Sequence, residues 1–241
     1  MVESLVDMNM HVVESQPEYG LDLHFHTDAS KDGRTTIDDV ARFLDKRVLD
    51  VIGITDHDTI ENALLLKEMF PDRIIPGIEV TTRDGEIAVL GVTELIPGGR
   101  SALDTTREAH AQGGIVLFQH PFHKNGLNEE TARAVQAEDR IDLVEVNNGR
   151  DLFRRRFGRQ ALEFAKAFDI PTVSNGDTHG PPGVGRARTI VGRMPDVNDL
   201  DDVVAAIRHE QVRHARRFAG ILALAQPEIA RREKRRAAAV A

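Results

Sequence analysis

Six short apolar runs in this chain each end in a histidine, aspartate, glutamate or asparagine, and helical patterns separate most of them. Residues 20–25 run through His24 towards His26, residues 48–54 into His57, residues 74–78 into Glu79 and residues 115–119 into His120. Residues 141–146 meet Asn147, and 171–174 meet Asn175 and Asp177. Strands alternating with helices pair in parallel through right-handed crossovers, which leaves a (β/α) barrel or an open doubly wound sheet. In a barrel the chemistry sits at the C-terminal strand ends, so polar residues collecting there have the placement an active site requires.

The intervening pattern supports this. Ile37, Val40, Ala41 and Leu44 fall at i, i+3, i+4 and i+7 behind Thr35 and Thr36, with Asp38 and Asp39 suited to a first helical turn. Further helices are expected at 59–70, before Pro71, at 101–112, closed by Gly113 and Gly114, and at 128–137, 151–168 and 198–209. Residues 74–79 and 86–92 flank Asp84-Gly85, a hairpin signal, and a last strand fits 187–192. Residues 1–19 read as an irregular arm, 20–207 as the α/β body, and 208–241 as a basic tail.

The tail carries nine Lys/Arg against three Asp/Glu, which leaves the first 207 residues at −14 of the overall −8. An acidic body argues against a broad nucleic-acid surface, although a metal-filled cleft can still attract phosphate. In the tail, Val212, Ala215, Phe218, Ala219 and Leu222 follow helical spacing, as for a helix docked on the body, with a subunit contact or an RNA-directed arm as alternatives. Residues 231–236 are expected to be mobile. No apolar run approaches the ~20 residues of a membrane span, and acidic residues near the N-terminus argue against a secretory signal, so the expected location is the cytoplasm. Cysteine is absent, which excludes disulfides, thiolate metal sites and cysteine nucleophiles.

Any metal must therefore be held by nitrogen and oxygen. In a strand, residues i and i+2 share a face, so His24 and His26 can present two imidazoles to one cation. With Asp32, His57, Glu79, His120, Asp177 and His179 the candidates number too many for one tetrahedral zinc, and suit two or three ions sharing a carboxylate. Such sites hydrolyse phosphoesters. The phosphate needs cations as well, because its transition state spreads charge over the equatorial oxygens. Arg186 is the best placed, followed by His123, Lys124 and Arg150. Asp56 and Asp58 are expected to orient His57 or cap the next helix, and Glu145 and Asn147 to serve packing and hydrogen bonding. His11, His110, His209 and His214 are assigned no function.

The segments Asp22-Leu-His-Phe-His-Thr27, Thr55-Asp-His-Asp-Thr59, Pro76-Gly-Ile-Glu79, His120-Pro-Phe122 and Asn175-Gly-Asp-Thr-His179 resemble, in order and spacing, the motifs of the PHP (polymerase and histidinol phosphatase) family. The resemblance spans roughly residues 20–192. It implies a distorted seven-stranded (β/α) barrel and up to three divalent metals, of manganese, zinc or iron type. Carried over by position, His24, His26, Glu79 and Asp177 hold the first metal, Glu79 bridges to a second bound by His120, and Asp32, His57 and His179 form the third set. The expected activity is hydrolysis of a phosphomonoester or phosphodiester by metal-activated hydroxide, with His120 and Arg186 in the catalytic machinery. Histidinol phosphate, a nucleotide bisphosphate and an oligonucleotide end are candidate substrates.

Two positions depart from the family pattern. Glu86-Ile-Ala88-Val-Leu-Gly91 has alanine where many members have histidine, which removes a ligand of the second metal. Ser30-Lys31-Asp32-Gly33 is one residue longer than the common form, so Asp32 is the expected ligand and Asp28 the fallback. Ala88 keeps open a metal-stabilised scaffold without catalysis, and His-x-His on a first strand keeps open an amidohydrolase-type metal enzyme.

Overall fold

The structure is a computed structural model that describes residues 18–150, 155–209, 213–216 and 221–239. Nearly all of the expected N-terminal arm, and the start of the helix expected at 151–168, lie outside the described residues. In chain order the strands are β1 (Tyr19–Phe25), β2 (Val51–Ile54), β3 (Ile74–Thr82), β4 (Gly85–Leu90), β5 (Ile115–Phe118), β6 (Leu143–Asn148), β7 (Thr172–Asn175), β8 (Ala187–Val191) and β9 (Arg213–Arg216). The helices are α1 (Ile37–Asp45), α2 (Glu61–Met69), α3 (Ala102–Ala111), α4 (Glu129–Glu138), α5 (Arg155–Ala167), α6 (Leu200–His209) and α7 (Ile221–Ala238). Among the described residues no helix is long and apolar enough to cross a membrane.

The strands form one sheet in the order β7-β6-β5-β4-β3-β2-β1-β8-β9. It curls into a nearly closed barrel, which decides between the two architectures left open by the sequence. β7 meets β1 and β8 across a seam stitched largely by side chains. The Leu23 N–H donates to Asn175 Oδ1 at 2.9 Å, the Gly176 N–H to Asp22 Oδ1 at 2.9 Å, and the Ser174 N–H to Thr189 Oγ1 at 2.9 Å. Among β1–β7 one strand breaks the parallel rule: the Asp84-Gly85 turn makes β4 antiparallel to β3, and β4 is antiparallel to β5 as well, while β8 is antiparallel to both β1 and β9. The N-terminal end of β4 therefore lies beside the C-terminal ends of its neighbours.

Two layers of apolar side chains follow from this geometry. Val40, Leu44, Leu66, Ala109, Val135 and Phe164 of the helices pack outside the sheet on Ile52, Ile54, Ile78, Val89 and Phe118. Inside, Leu21, Leu23, Val51, Ile75, Leu90, Leu117, Leu143 and Val173 fill the barrel, with Val203 and Ile207 of α6 packed among them. α1 starts with a capping box in which the Thr36 hydroxyl accepts the Asp39 N–H and the Asp39 carboxylate accepts the Thr36 N–H. Gly113, at φ +79, ends α3 as expected.

The tail differs from its expected form. Residues 213–216 are a strand, because β8 would otherwise leave an open edge, and backbone pairing on that edge outweighs a helical spacing of small residues. The boundary drawn at 207 therefore cuts the sheet. Val212, Phe218 and Ala219 lie outside the described residues. Residues 231–236, expected to be mobile, belong to α7, which docks on the loop after β1. Arg34 donates to Glu233 at 2.9 Å and to Gln226 at 2.8 Å, and Lys234 donates to the Asp28 carbonyl at 2.7 Å.

Candidate metal centre

A bulge in β1 builds the first corner of the site. Between Asp22 and Phe25 the register against β2 shifts, so Leu21 and Leu23 point inward while Phe25 packs in the outer layer. Strict alternation would have kept Phe25 inward. The shift re-aims His24 and His26 into the cavity, which is what bulges beside active sites do. At the far side, His120 and Asp177 hold φ of 29° and 47°, a left-handed conformation that non-glycine residues adopt at a cost of ~1–3 kcal/mol and that collects at functional sites. Gly176 precedes Asp177 because a Cβ there would stand 2.5 Å from Asp22 Oδ2. Gly33 is needed equally, since its Cβ would strike the Thr27 carbonyl in the loop that delivers Asp32.

All eight expected side chains meet around one volume. Glu79 Oε2 lies 3.4 Å from His24 Nε2, 3.2 Å from His26 Nε2 and 3.4 Å from His57 Nδ1, while Glu79 Oε1 lies 3.0 Å from His120 Nε2. Asp177 Oδ1 stands 3.8 Å from His24 Nε2, 3.5 Å from His26 Nε2 and 3.2 Å from His179 Nδ1. Asp32 Oδ1 faces His179 Nε2 at 3.3 Å and His57 Nε2 at 3.7 Å. Donors bound to one ion at ~2.1 Å stand about 3–3.5 Å apart, so most of these separations suit shared cations. Asp28, the fallback, is exposed and accepts from Asn62 instead.

Several donors in this wall lack any hydrogen-bond partner although they are buried: His24 Nε2, both ring nitrogens of His26, His57 Nδ1 and Glu79 Oε2. Buried polar atoms without partners are costly, and a cation would satisfy these. The carboxylates also hold protons on two of the imidazoles. Burial alone would lower His24 and His26, but Asp177 and Glu79 overcome it, holding His24 well above its usual value and pushing His26 up to about 9. Burial works against Glu79 and Asp177 too, yet the imidazoles, and Arg150 beside Asp177, hold both well below the carboxylate range. His57 goes the other way, to about 4, because burial dominates there.

A further ring of groups fixes these donors. Glu145 Oε2 lies 3.1 Å from His24 Nδ1, which directs Nε2 into the cavity, and Glu145 also accepts from Asn148, Asn175 and the His120 N–H. Such partners set imidazole tautomer and orientation. The hydrogen-bonding part expected of Glu145 is thus directed at His24, while Asn147 donates to Ser174 Oγ. Asp56 and Asp58 neither orient His57 nor cap α2. Asp56 accepts from the Thr27 N–H and hydroxyl at 2.6 Å each, and Asp58 from those of Thr81, so both tie loops together.

The donors line a cavity of about 540 Å³, and its cations differ from those expected. Arg186 lines a separate groove with Val184, Gly185 and Arg188, because the short 3-10 turn Pro181–Gly183 carries the chain away from the cavity after His179. Lys124 is exposed outside the lining, whereas His123 and Arg150 are in it. Arg150 Nη1 lies 3.3 Å from His179 Nδ1 and 3.5 Å from Asp177 Oδ1. Sequence reasoning missed Lys31 and Arg231 among the lining, Arg231 reaching Asp32 Oδ2 at 2.7 Å from α7. It also missed Glu86, whose carboxylate stands 3.9 Å from both His57 Nδ1 and His120 Nε2. The signal for Glu86 was the hairpin turn, which puts the first residues of β4 at the site end. Arg231 lies 199 residues from Asp32, and no local pattern joins them.

Comparison with known proteins adds four matches. A family model described as PHP-associated matches residues 156–212. The uncharacterized protein MJ0417 of Methanocaldococcus jannaschii is 30% identical over 172 residues, covering 69% of this chain and 68% of that protein. Among solved structures, a two-domain protein from Bacteroides vulgatus containing a predicted PHP-like metal-dependent phosphoesterase superposes with a TM-score of 0.65 at 19% identity. That match covers 83% of this chain but only 65% of the other. The lesion-specific endonuclease PfuEndoQ of Pyrococcus furiosus gives a TM-score of 0.58 at 15% identity, covering 82% of this chain and 58% of that one.

Proposed function

Since the chain belongs to the PHP family, we propose that it is a metal-dependent phosphoesterase whose ligands are His24, His26, Asp32, His57, Glu79, His120, Asp177 and His179. One observation carries the reading: four imidazoles surround a single buried carboxylate, Glu79, with orphaned nitrogens and an orphaned oxygen turned towards one another. A nitrogen and oxygen donor set of this kind suits manganese, zinc or iron. When bound, two or three such ions would activate water as the nucleophile and neutralise charge on the phosphoryl oxygens.

The chain's own groups supply the rest. Arg150, His123 and Lys31 line the cavity and would receive the non-bridging oxygens, with Arg231 closing the circle from α7. Glu145 holds His24 in one orientation before substrate arrives. Val146, Phe157 and Leu224 add an apolar surface for the remainder of the ester, which suits a small phosphorylated molecule or a nucleic-acid end.

The test is phosphate release from a panel of mononucleotides, bisphosphates, sugar phosphates and short oligonucleotides, with protein loaded with manganese or zinc. Turnover by the parent that His24→Ala lacks supports the proposal. Equal rates in the two proteins, or none in either, would sink it. Ala88 favours one other reading, a metal-stabilised scaffold, which full metal occupancy without turnover would support.

A further inference from the structure

We infer that Glu86 supplies the second ion with the ligand that position 88 does not, holding it with Glu79 between His120 and His57. This rests on the cluster being a metal site. β4 alone among the first seven strands runs antiparallel to its neighbours, so its opening residues lie at the end where the other strands finish. Glu86 and Ala88 share a face of β4, opposite Thr81 and Glu79 of β3. The alanine stands level with Glu79 but has no donor to offer an ion. The glutamate is one step nearer the mouth and lines the cavity.

The place beside Ala88 is also filled. Gln119 Oε1 accepts the Ala88 N–H at 2.8 Å, which turns its amide nitrogen to donate to Glu79 Oε1 at 3.0 Å. Gln119 is fully buried, so this bridge is fixed. A small residue at 88 and an amide at 119 thus steady Glu79 from below, while the ligand comes from above.

Glu86 is aimed accordingly. Its two oxygens stand 3.9 Å from His120 Nε2 and His57 Nδ1, and donor atoms of His57, Glu79 and Glu86 lie within 4.8 Å of one another. His57 Nδ1 and Glu79 Oε2 are buried without hydrogen-bond partners and belong to that same group. Exchanging an imidazole for a carboxylate makes the second position harder, favouring manganese over zinc there relative to the other positions.

The experiment measures ions bound per chain by plasma emission after dialysis against manganese or zinc, and stepwise affinities by calorimetry. It uses the parent, Glu86→Gln, Glu86→Asp and His24→Ala, each checked for folding by circular dichroism. Glu86→Gln is expected to lose one ion, or to weaken the weakest step at least tenfold, with the tighter steps unchanged and Glu86→Asp intermediate. If His24→Ala loses metal while Glu86→Gln keeps the parent's count and affinities, the role of Glu86 is overturned and the metal site stands. If parent and His24→Ala alike bind no metal, both fall.

Discussion

The two sides of the cavity are built to different rules. The inner wall, His24, His26, Glu79 and Asp177, comes from strand ends, and its side chains are at most 10% exposed. The rim comes from the first loop and α7, where Lys31 is exposed and the Arg231 side chain is 45% exposed. Charges in the wall are out of water and each must be answered by a neighbour, whereas charges on the rim are answered by solvent. The wall therefore fixes the chemistry. The rim can adjust to a ligand at little cost in stability.

The harshest way to break this comparison is to remove the centre of the wall. Glu79→Ala leaves four imidazoles around a void, and taking one partner from a buried charged cluster costs about 3–5 kcal/mol. Urea unfolding of metal-free protein should show a loss of that order, and dialysis should show metal binding abolished. A loss below about 1 kcal/mol would mean that the wall is solvated like the rim. Next in size is Glu145→Gln, which keeps the shape but weakens the hold on His24 Nδ1. Metal affinity should fall about 10–100-fold, as such orienting partners usually require, and calorimetry reads it directly.

Acidity separates the sides further. His26 goes from an ordinary value of 6.5 when unfolded to about 9 when folded, so the folded apoprotein holds a proton that the unfolded chain releases. Its contribution to stability is complete below pH 6.5 and is lost as pH rises through about 9. The melting temperature of chelator-treated protein should therefore decline across that window, at about 2–4 °C per kcal/mol for a chain of this size. Metal binding must expel the same proton, so affinity should rise over the same range. Thermal melts with and without manganese at pH 6.5 and 9 should diverge, and parallel curves would count against a buried cationic wall.

How much of this was legible follows the same division. Strand ends carry their proposed ligands in short local motifs, so His24, His57, Glu79, His120 and Asp177 could be read from spacing, and the structure brings all of them together. The bulge that aims His24 and His26 was invisible, because it depends on a register with β2 that no single strand encodes. The rim was read least well. Arg186 follows a site motif in sequence but is carried off by the turn at Pro181–Gly183, while Arg231 arrives from a helix that the spacing of Val212–Leu222 had placed elsewhere. Local pattern encodes what a strand end presents, and long-range docking decides what covers it.

The mildest test is Arg231→Ala. The guanidinium is nearly half exposed and its partner Asp32 is almost fully buried, so the loss falls unevenly: solvent replaces Asp32 for the arginine, whereas Asp32 Oδ2 loses its guanidinium and the carboxylate keeps only the Ser30 hydroxyl and the imidazoles on Oδ1 unless a cation joins them. With metal bound, Asp32 is already answered, and the variant should melt within a few degrees of the parent, as for an exposed pair worth ~0–1 kcal/mol. Without metal the gap between the proteins should widen. For hydrolysis the rim position predicts a rise in KM for the phosphoester with kcat changed less, because the arginine would grip substrate rather than the reacting atoms. A collapse of kcat at unchanged KM would move Arg231 from the rim into the wall and erase the distinction between the two sides.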